Sequence, residues 1–207
     1  MKLVPQRTAD FGYLEIFDLY SKRELEKIWC EIAHLSYISS LPSVKAIRQD
    51  SSALTREEVP KIKYSGDGLH LDNIYRQREY SAILECNRQL FTNKRILKAF
   101  EKTHSANAAY ADVCSDFTIF NRYRNTQGYL PHADQSSFSS ITILLNCPEK
   151  IEGGDLIFPD YDITFAPKNN SCVLFPSWVN HCVTPLSCKG DAVRYSIANL
   201  SHMLRSN

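Results

Sequence analysis

Between Ser21 and Leu35 the chain reads SKRELEKIWCEIAHL, with apolar residues at Leu25, Ile28, Trp29, Ile32 and Leu35. That spacing predicts an amphipathic helix with one core-facing stripe. Ser21 followed by Glu24 is the reciprocal capping pair that opens such a helix. The run Tyr13-Leu14-Glu15-Ile16-Phe17 alternates less cleanly and predicts a short strand. From Ser39 to Gly68 the chain is rich in Ser and charge and carries Pro60, Gly66 and Gly68, which predicts an exposed loop long enough to serve as a lid. Apolar positions at Ile83, Leu84, Leu90, Phe91, Ile96, Leu97 and Phe100 predict one or two helices between Ser81 and His104, broken near Thr92-Asn93.

The texture changes after residue 111. Short β-rich runs follow one another: FTIFNRYR, GYLPHAD, SSITILLNC, DLIFP, ITFAP, SCVLFPSW, HCVTPL and AVRYSIANLSHM. Turn residues separate them at intervals of roughly 8 to 12, the spacing of a sandwich or jelly roll and not of alternating β/α units. The class predicted is α+β. Residues 1–110 form a helix-rich support, residues 111–207 form the β core, and the two make one domain over 1–207.

Composition narrows the function. The 207 residues are 43% hydrophobic and 23% charged with a net charge of +1, so the chain can bury a sizeable core. Lys and Arg are scattered, which removes the basic footprint of a nucleic-acid binder. No apolar run of about 18 residues exists, and MKLVPQRTADFG lacks the apolar stretch of a secretory signal, so a cytoplasmic protein without membrane contact is expected. Seven cysteines with no CxxC pair fit neither a disulfide framework nor a zinc ribbon, and buried free thiols are the plainer expectation. Asn169-Asn170-Ser171 and Asn199-Leu200-Ser201 match a glycosylation pattern that has no use in such a compartment.

Three residues suggest a metal site. His132 and Asp134 are two apart in a predicted strand, so period-2 geometry turns both to one face. His-x-Asp arises easily by chance, and a surface hydrogen bond explains an isolated match. His181 follows the apolar run ending at Phe175-Pro176, 47 positions after Asp134. On its own it reads equally as a core or turn histidine. Together the three would supply two imidazoles and one carboxylate, the set that suits non-haem Fe(II) with positions left open. Thirteen residues later Arg194 interrupts the apolar strand Val193-Arg194-Tyr195-Ser196-Ile197, with Ser196 on the same face. A buried guanidinium requires an anionic partner, either a ligand carboxylate or an internal Asp or Glu.

The order of Tyr123, Tyr129-Leu130-Pro131-His132-Ala133-Asp134, Leu144-Leu145-Asn146, Glu152-Gly153-Gly154-Asp155-Leu156, Phe175-Pro176, His181-Cys182-Val183-Thr184-Pro185 and Arg194-Tyr195-Ser196 resembles the Fe(II)/2-oxoglutarate dioxygenases, in their prolyl-4-hydroxylase-like branch. The resemblance covers about residues 117 to 203 and implies a double-stranded β-helix of jelly-roll, cupin-like form, with the N-terminal helices buttressing it. It implies that His132, Asp134 and His181 ligate iron. It likewise implies that Arg194 pairs with the far carboxylate of 2-oxoglutarate, assisted by Ser196 and Tyr123. Tyr129 stands where relatives place a cleft aromatic, and His202 is a second candidate for substrate contact. The cofactors implied are Fe(II), 2-oxoglutarate and O2, with ascorbate as an optional reductant. Gly153-Gly154 matches a turn before a core strand, where backbone freedom explains glycine.

Two departures stand out. Some relatives carry a tyrosine on the strand after His-x-Asp that touches the far carboxylate, whereas this chain reads Thr142-Ile143-Leu144-Leu145-Asn146, which shifts that burden to Tyr123. The interval from His181 to Arg194 is also longer than in the shortest relatives, which predicts a longer turn around Lys189-Gly190-Asp191. The nucleic-acid demethylase branch has a second Arg six residues after the cosubstrate Arg, and Leu200 stands there instead. Hydroxylation of an unactivated C–H bond of a peptidyl or free amino acid, prolyl-hydroxylase-like and with release of succinate and CO2, is the reading favoured. Oxidation of another small metabolite (hydroxylation, desaturation or ring formation) and a non-catalytic metal- or ligand-binding module are the alternatives. Substrate identity and oligomeric state are open.

Overall fold

The computed structural model describes residues 1–38 and 67–203. The expected Ser39–Gly68 loop lies, up to residue 66, outside the described residues. The chain opens with a hairpin, β1 (Lys2–Arg7) and β2 (Gly12–Phe17), and then α1 (Lys22–Ile38). The predicted cap is present. The Ser21 amide donates to Glu24 Oε2 at 2.7 Å and the Glu24 amide donates to Ser21 Oγ at 3.3 Å. A short strand β3 (Asp67–His70) and the single turn α2 (Leu71–Ile74) follow. Then come α3 (Ala82–Asn87), α4 (Gln89–Thr92) and α5 (Lys94–Glu101). The break falls at Asn93, whose side chain accepts from the Arg95 amide at 2.9 Å and so starts the next helix.

Every β-rich run of the second half forms a strand: β4 (Val113–Tyr123), β5 (Tyr129–His132), β6 (Phe138–Leu145), β8 (Leu156–Phe158), β9 (Ile163–Phe165), β10 (Ser171–Pro176), β11 (His181–Val183) and β13 (Arg194–Met203). Two more, β7 (Ile151–Gly153) and β12 (Leu186–Cys188), pair with each other. The longer interval before Arg194 thus contains an extra strand, and the expected turn around Lys189-Gly190-Asp191 follows it, with Gly190 at φ +66°.

A seven-stranded sheet runs β1-β2-β10-β6-β13-β4-β3 and faces a four-stranded sheet β5-β11-β8-β9. The hairpin and β3 are the N-terminal half's contribution, so that half supplies three strands of the larger sheet as well as helices. Pro5 is tolerated in β1 because that strand lies at the sheet edge.

Period 2 divides the larger sheet's side chains between two cores. Leu14, Ile16, Leu144, Cys172, Leu174, Tyr195 and Ile197 pack on the helices with Ile28, Ile32, Leu35, Leu84 and Phe100. Tyr13, Ile141, Ile143, Leu145, Val173 and Phe175 point the other way and meet Leu156, Phe158, Phe165 and Val183 of the smaller sheet. β6 is therefore buried along its whole length, its Ser139, Ser140 and Thr142 included. Thr142 belongs to the helix-facing set, so the interior positions on this strand are Ile141, Ile143 and Leu145, and none is a tyrosine.

All seven cysteines are free thiols, but only Cys86 and Cys172 are buried, which corrects the expectation that the group as a whole is interior. The first glycosylation-like motif has a packing role. Asn170, at φ +58°, accepts from the Tyr20 amide at 2.9 Å and donates to the Tyr20 carbonyl at 2.8 Å. Asn169 Oδ1 accepts from the Leu145 amide at 3.0 Å. Among the described residues no helix is long and apolar enough to cross a membrane.

Candidate active site

His132 ends β5 and His181 opens β11, and antiparallel pairing sets the two directly opposite each other. Asp134 lies just past the end of β5, not within the strand as the spacing suggested. Its backbone amide donates to the Ser177 carbonyl at 3.0 Å, which pins it across from the turn that carries His181. One donor atom from each of His132, Asp134 and His181 lies within 4.8 Å of the others. Asp134 Oδ1 is 3.5 Å from His132 Nε2, and Asp134 Oδ2 is 3.7 Å from His181 Nε2.

The rings are oriented by backbone. His132 Nδ1 is 2.9 Å from the Leu130 carbonyl and His181 Nδ1 is 3.0 Å from the Val179 carbonyl. A carbonyl only accepts, so each Nδ1 carries a proton and each ring turns its Nε2 toward Asp134. Burial against Phe175, with ring centroids 5.0 Å apart, pushes His181 below its usual value, and Asp134 only partly offsets this. Burial pushes the Asp134 carboxyl up, but His132, His181 and the Ser139 hydroxyl together outweigh it and hold it below the usual carboxylate value. Both changes favour the ligating forms.

Arg194 is fully buried. It starts β13 in register with Tyr123 of β4 and Leu145 of β6, on the face turned toward the smaller sheet. Its guanidinium lies over the Tyr123 ring at 5.1 Å. Burial raises the Tyr123 hydroxyl above its usual value, with Arg194 opposing, so the phenol stays protonated and able to donate. Ser196 shares this face two residues on, opposite Asn121 and Ile143, and is buried. Gly153 and Gly154 both sit at φ +71°, as a turn requires, but Gly154 does more. A Cβ there would stand 3.0 Å from Arg194 Cδ and 2.8 Å from Leu186 Cδ1, so the missing side chain is the space through which Arg194 passes.

Tyr129 packs on His132 with ring centroids 4.3 Å apart, at the rim. His202 is half-buried near the end of β13, opposite Ser115. Its neighbours in the strand bracket Ser137: the Ser137 amide donates to the Ser201 carbonyl at 2.8 Å, and Ser137 Oγ accepts from the Met203 amide at 3.3 Å.

Residues 118–202 match the sequence model of the 2OG-Fe(II) oxygenase superfamily. The β core is similar to that superfamily over this span. A PKHD-type hydroxylase, YbiX, from Escherichia coli O1:K1 is 34% identical over 85 residues, an alignment that takes in 33% of this chain and 36% of the relative. The hydroxylase of the same name from Shigella dysenteriae serotype 1 matches to the same extent. This chain thus spans about a third of the length of the curated relatives it matches. Among solved structures, a Pseudomonas putida prolyl-4-hydroxylase superposes with a TM-score of 0.57 at 15% identity, covering 94% of each chain. The viral collagen prolyl hydroxylase from Paramecium Bursaria Chlorella virus-1, in its 2OG complex, gives 0.51 at 14% identity, covering 91% of this chain and 94% of that one. At such identities the likeness is one of fold, and it shows the two facing sheets as a double-stranded β-helix.

Some residues that hold the site together carry no signal in the sequence. The carbonyls of Leu130 and Val179 have no side-chain signature. Ser139 and Ser177 sit among other serines.

Proposed function

We propose that this chain is an Fe(II)- and 2-oxoglutarate-dependent hydroxylase that converts an unactivated C–H bond of a peptidyl or free amino acid to C–OH, consuming O2 and 2-oxoglutarate and releasing succinate and CO2. The observation that carries this reading is the convergence of His132, Asp134 and His181 within 4.8 Å, on the fold whose interior buries Arg194. Two imidazoles and one carboxylate, partly open to solvent, fit a ferrous ion that must keep free positions. When bound, the iron supplies the oxidising chemistry and O2 reduction. Affinity alone does not select iron, since Zn, Ni and Cu bind such a donor set more tightly.

The chain's own residues have separable tasks. His132 and His181 offer Nε2, and Asp134 offers a carboxylate oxygen. Arg194 takes the far carboxylate of 2-oxoglutarate, with the Tyr123 and Ser196 hydroxyls as further donors. A planar guanidinium buried among apolar residues holds such a group by two parallel hydrogen bonds. Ile141, Ile143 and Leu145 keep water from the pocket, which strengthens those bonds. Tyr129 at the rim and His202 near the end of β13 are the candidates for substrate contact. Ascorbate is an optional reductant, and nucleic acid is not the substrate proposed, with Leu200 in place of a second Arg.

The test is anaerobic loading with Fe(II), followed by exposure to O2, 2-oxoglutarate and a panel of proline, other amino acids and proline-containing peptides. Succinate release stimulated by one class, with a product heavier by one oxygen, is the expected result. Failure to form succinate with any of them, together with no 2-oxoglutarate binding by calorimetry, overturns the reading in favour of a non-catalytic binding module.

A further inference from the structure

Asp134 is held by a chain of hydroxyls. Ser139 Oγ donates to Asp134 Oδ2 at 2.6 Å, and Ser139 Oγ lies 3.0 Å from Ser177 Oγ. Ser177 Oγ is in turn 2.5 Å from Ser136 Oγ. A hydroxyl carries one proton, so once Ser139 gives its own to the carboxylate it can only accept from Ser177. Ser177 then accepts from Ser136, and the three donors align toward Asp134.

Each serine comes from a different part of the site. Ser136 lies between Asp134 and β6. Ser139 is in β6, in register with Phe175 of β10 and Leu200 of β13, so the larger sheet fixes its position. Ser177 belongs to the turn leading to His181, and its carbonyl accepts the Asp134 amide. Ser139 and Ser177 are buried, with 1% and 0% exposure, where competing water is excluded. The chain of hydroxyls therefore joins the larger sheet, which carries Ser139, to the turn that carries His181 of the smaller one, at the carboxylate.

We propose that Ser139 is a positioning residue of the metal centre. Its hydroxyl fixes the Asp134 carboxylate and engages Oδ2, leaving Oδ1 as the stronger donor to the metal, and Ser177 and Ser136 hold Ser139 in that role. This rests on the reading of His132, Asp134 and His181 as ligands. Without the bond from Ser139 the carboxylate can rotate about its χ2 torsion, a broad and soft one, and both the affinity for metal and the number of oxygens bound change. Outer partners of this kind are worth about 10- to 100-fold in metal affinity.

The probe is Co(II), bound anaerobically to the full chain and followed by calorimetry and by its visible absorption. Wild-type protein binds one Co(II). Ser139→Ala is expected to bind it about 10- to 100-fold more weakly with an altered absorption band, Ser139→Thr restores both, and Ser177→Ala gives a smaller loss in the same direction. Ser177→Ala also serves if Ser139→Ala does not fold, since it leaves the Ser139 hydroxyl in place. Affinity and band unchanged in a folded Ser139→Ala, or in Ser177→Ala where that is the one that folds, overturn this proposal while leaving the ligand reading intact. Wild-type protein that binds no Co(II) overturns both.

Discussion

His132 and His181 are cross-strand partners in the smaller sheet, with ring centroids 4.3 Å apart. Opposed residues of an antiparallel pair hold their Cβ atoms about 4.5–5.5 Å apart, which is close enough for two imidazoles to share one ion. The pairing of β5 with β11, not any local feature, therefore makes the site. A slip of one residue would turn one ring to the opposite face.

Removing either ring should abolish ordered metal binding. His132→Ala and His181→Ala are each expected to lose more than about a hundredfold in Co(II) affinity, exceeding the effect of any outer partner. Calorimetry on the folded variants checks this. Retention of wild-type affinity by either would remove that residue from the ligand set.

Arg194 and Tyr123 should affect the cosubstrate and spare the metal. Truncating one partner of a buried hydrogen-bonded charge pair costs about 2 kcal/mol or more, so Arg194→Ala should weaken 2-oxoglutarate binding by at least about thirtyfold. Tyr123→Phe keeps the ring under the guanidinium and removes only the hydroxyl. Its loss should be about tenfold. Binding of 2-oxoglutarate to the metal-loaded variants measures both. An unchanged dissociation constant in Arg194→Ala would refute its role.

Gly154 and Gly190 make a matched pair, since both lie at positive φ, +71° and +66°, but only Gly154 is crowded. Alanine at Gly190 meets nothing within 4 Å and should cost only backbone strain, about 1–2 kcal/mol, with 2-oxoglutarate affinity unchanged. Alanine at Gly154 should cost more and also weaken 2-oxoglutarate, because its Cβ would crowd the Arg194 stem. Urea unfolding and cosubstrate titration of the two variants separate the effects. Equal cosubstrate affinity in both would show that Gly154 does not set the path of Arg194.

Asn170 should be structural. Asn170→Ala strands both backbone groups of Tyr20 and strains a left-handed residue, an expected loss of roughly 2–4 kcal/mol. Asn170→Gly relieves the strain but not the lost bonds, so it should fall between alanine and wild type in urea unfolding. If alanine and wild type unfold alike, the bonds to Tyr20 contribute nothing net.

Much of this was legible along the chain because its signals are periodic or local. The stripe from Leu25 to Leu35 and the Ser21–Glu24 cap produced α1, and the eight β-rich runs became strands because alternation and turn residues mark them directly. Arg194 was conspicuous as a charge inside an apolar strand, and period 2 placed Ser196 beside it. By contrast, Asp134 fell outside the strand that its spacing with His132 suggested, and β1 and β3 escaped notice. β1 gains its stability from pairing with β2 and not from its own pattern, and β3 is four residues long.

The sequence by itself determined the donor types, their order and the faces they share within a strand, since side-chain direction follows from local backbone geometry. Only the tertiary structure decided that β5 lies against β11, that Ser139 reaches Asp134, and that Arg194 passes over Tyr123 through the space left by Gly154. Those relations depend on strand register and sheet packing, which are set by the burial of residues far apart in the chain and leave no mark on any single segment.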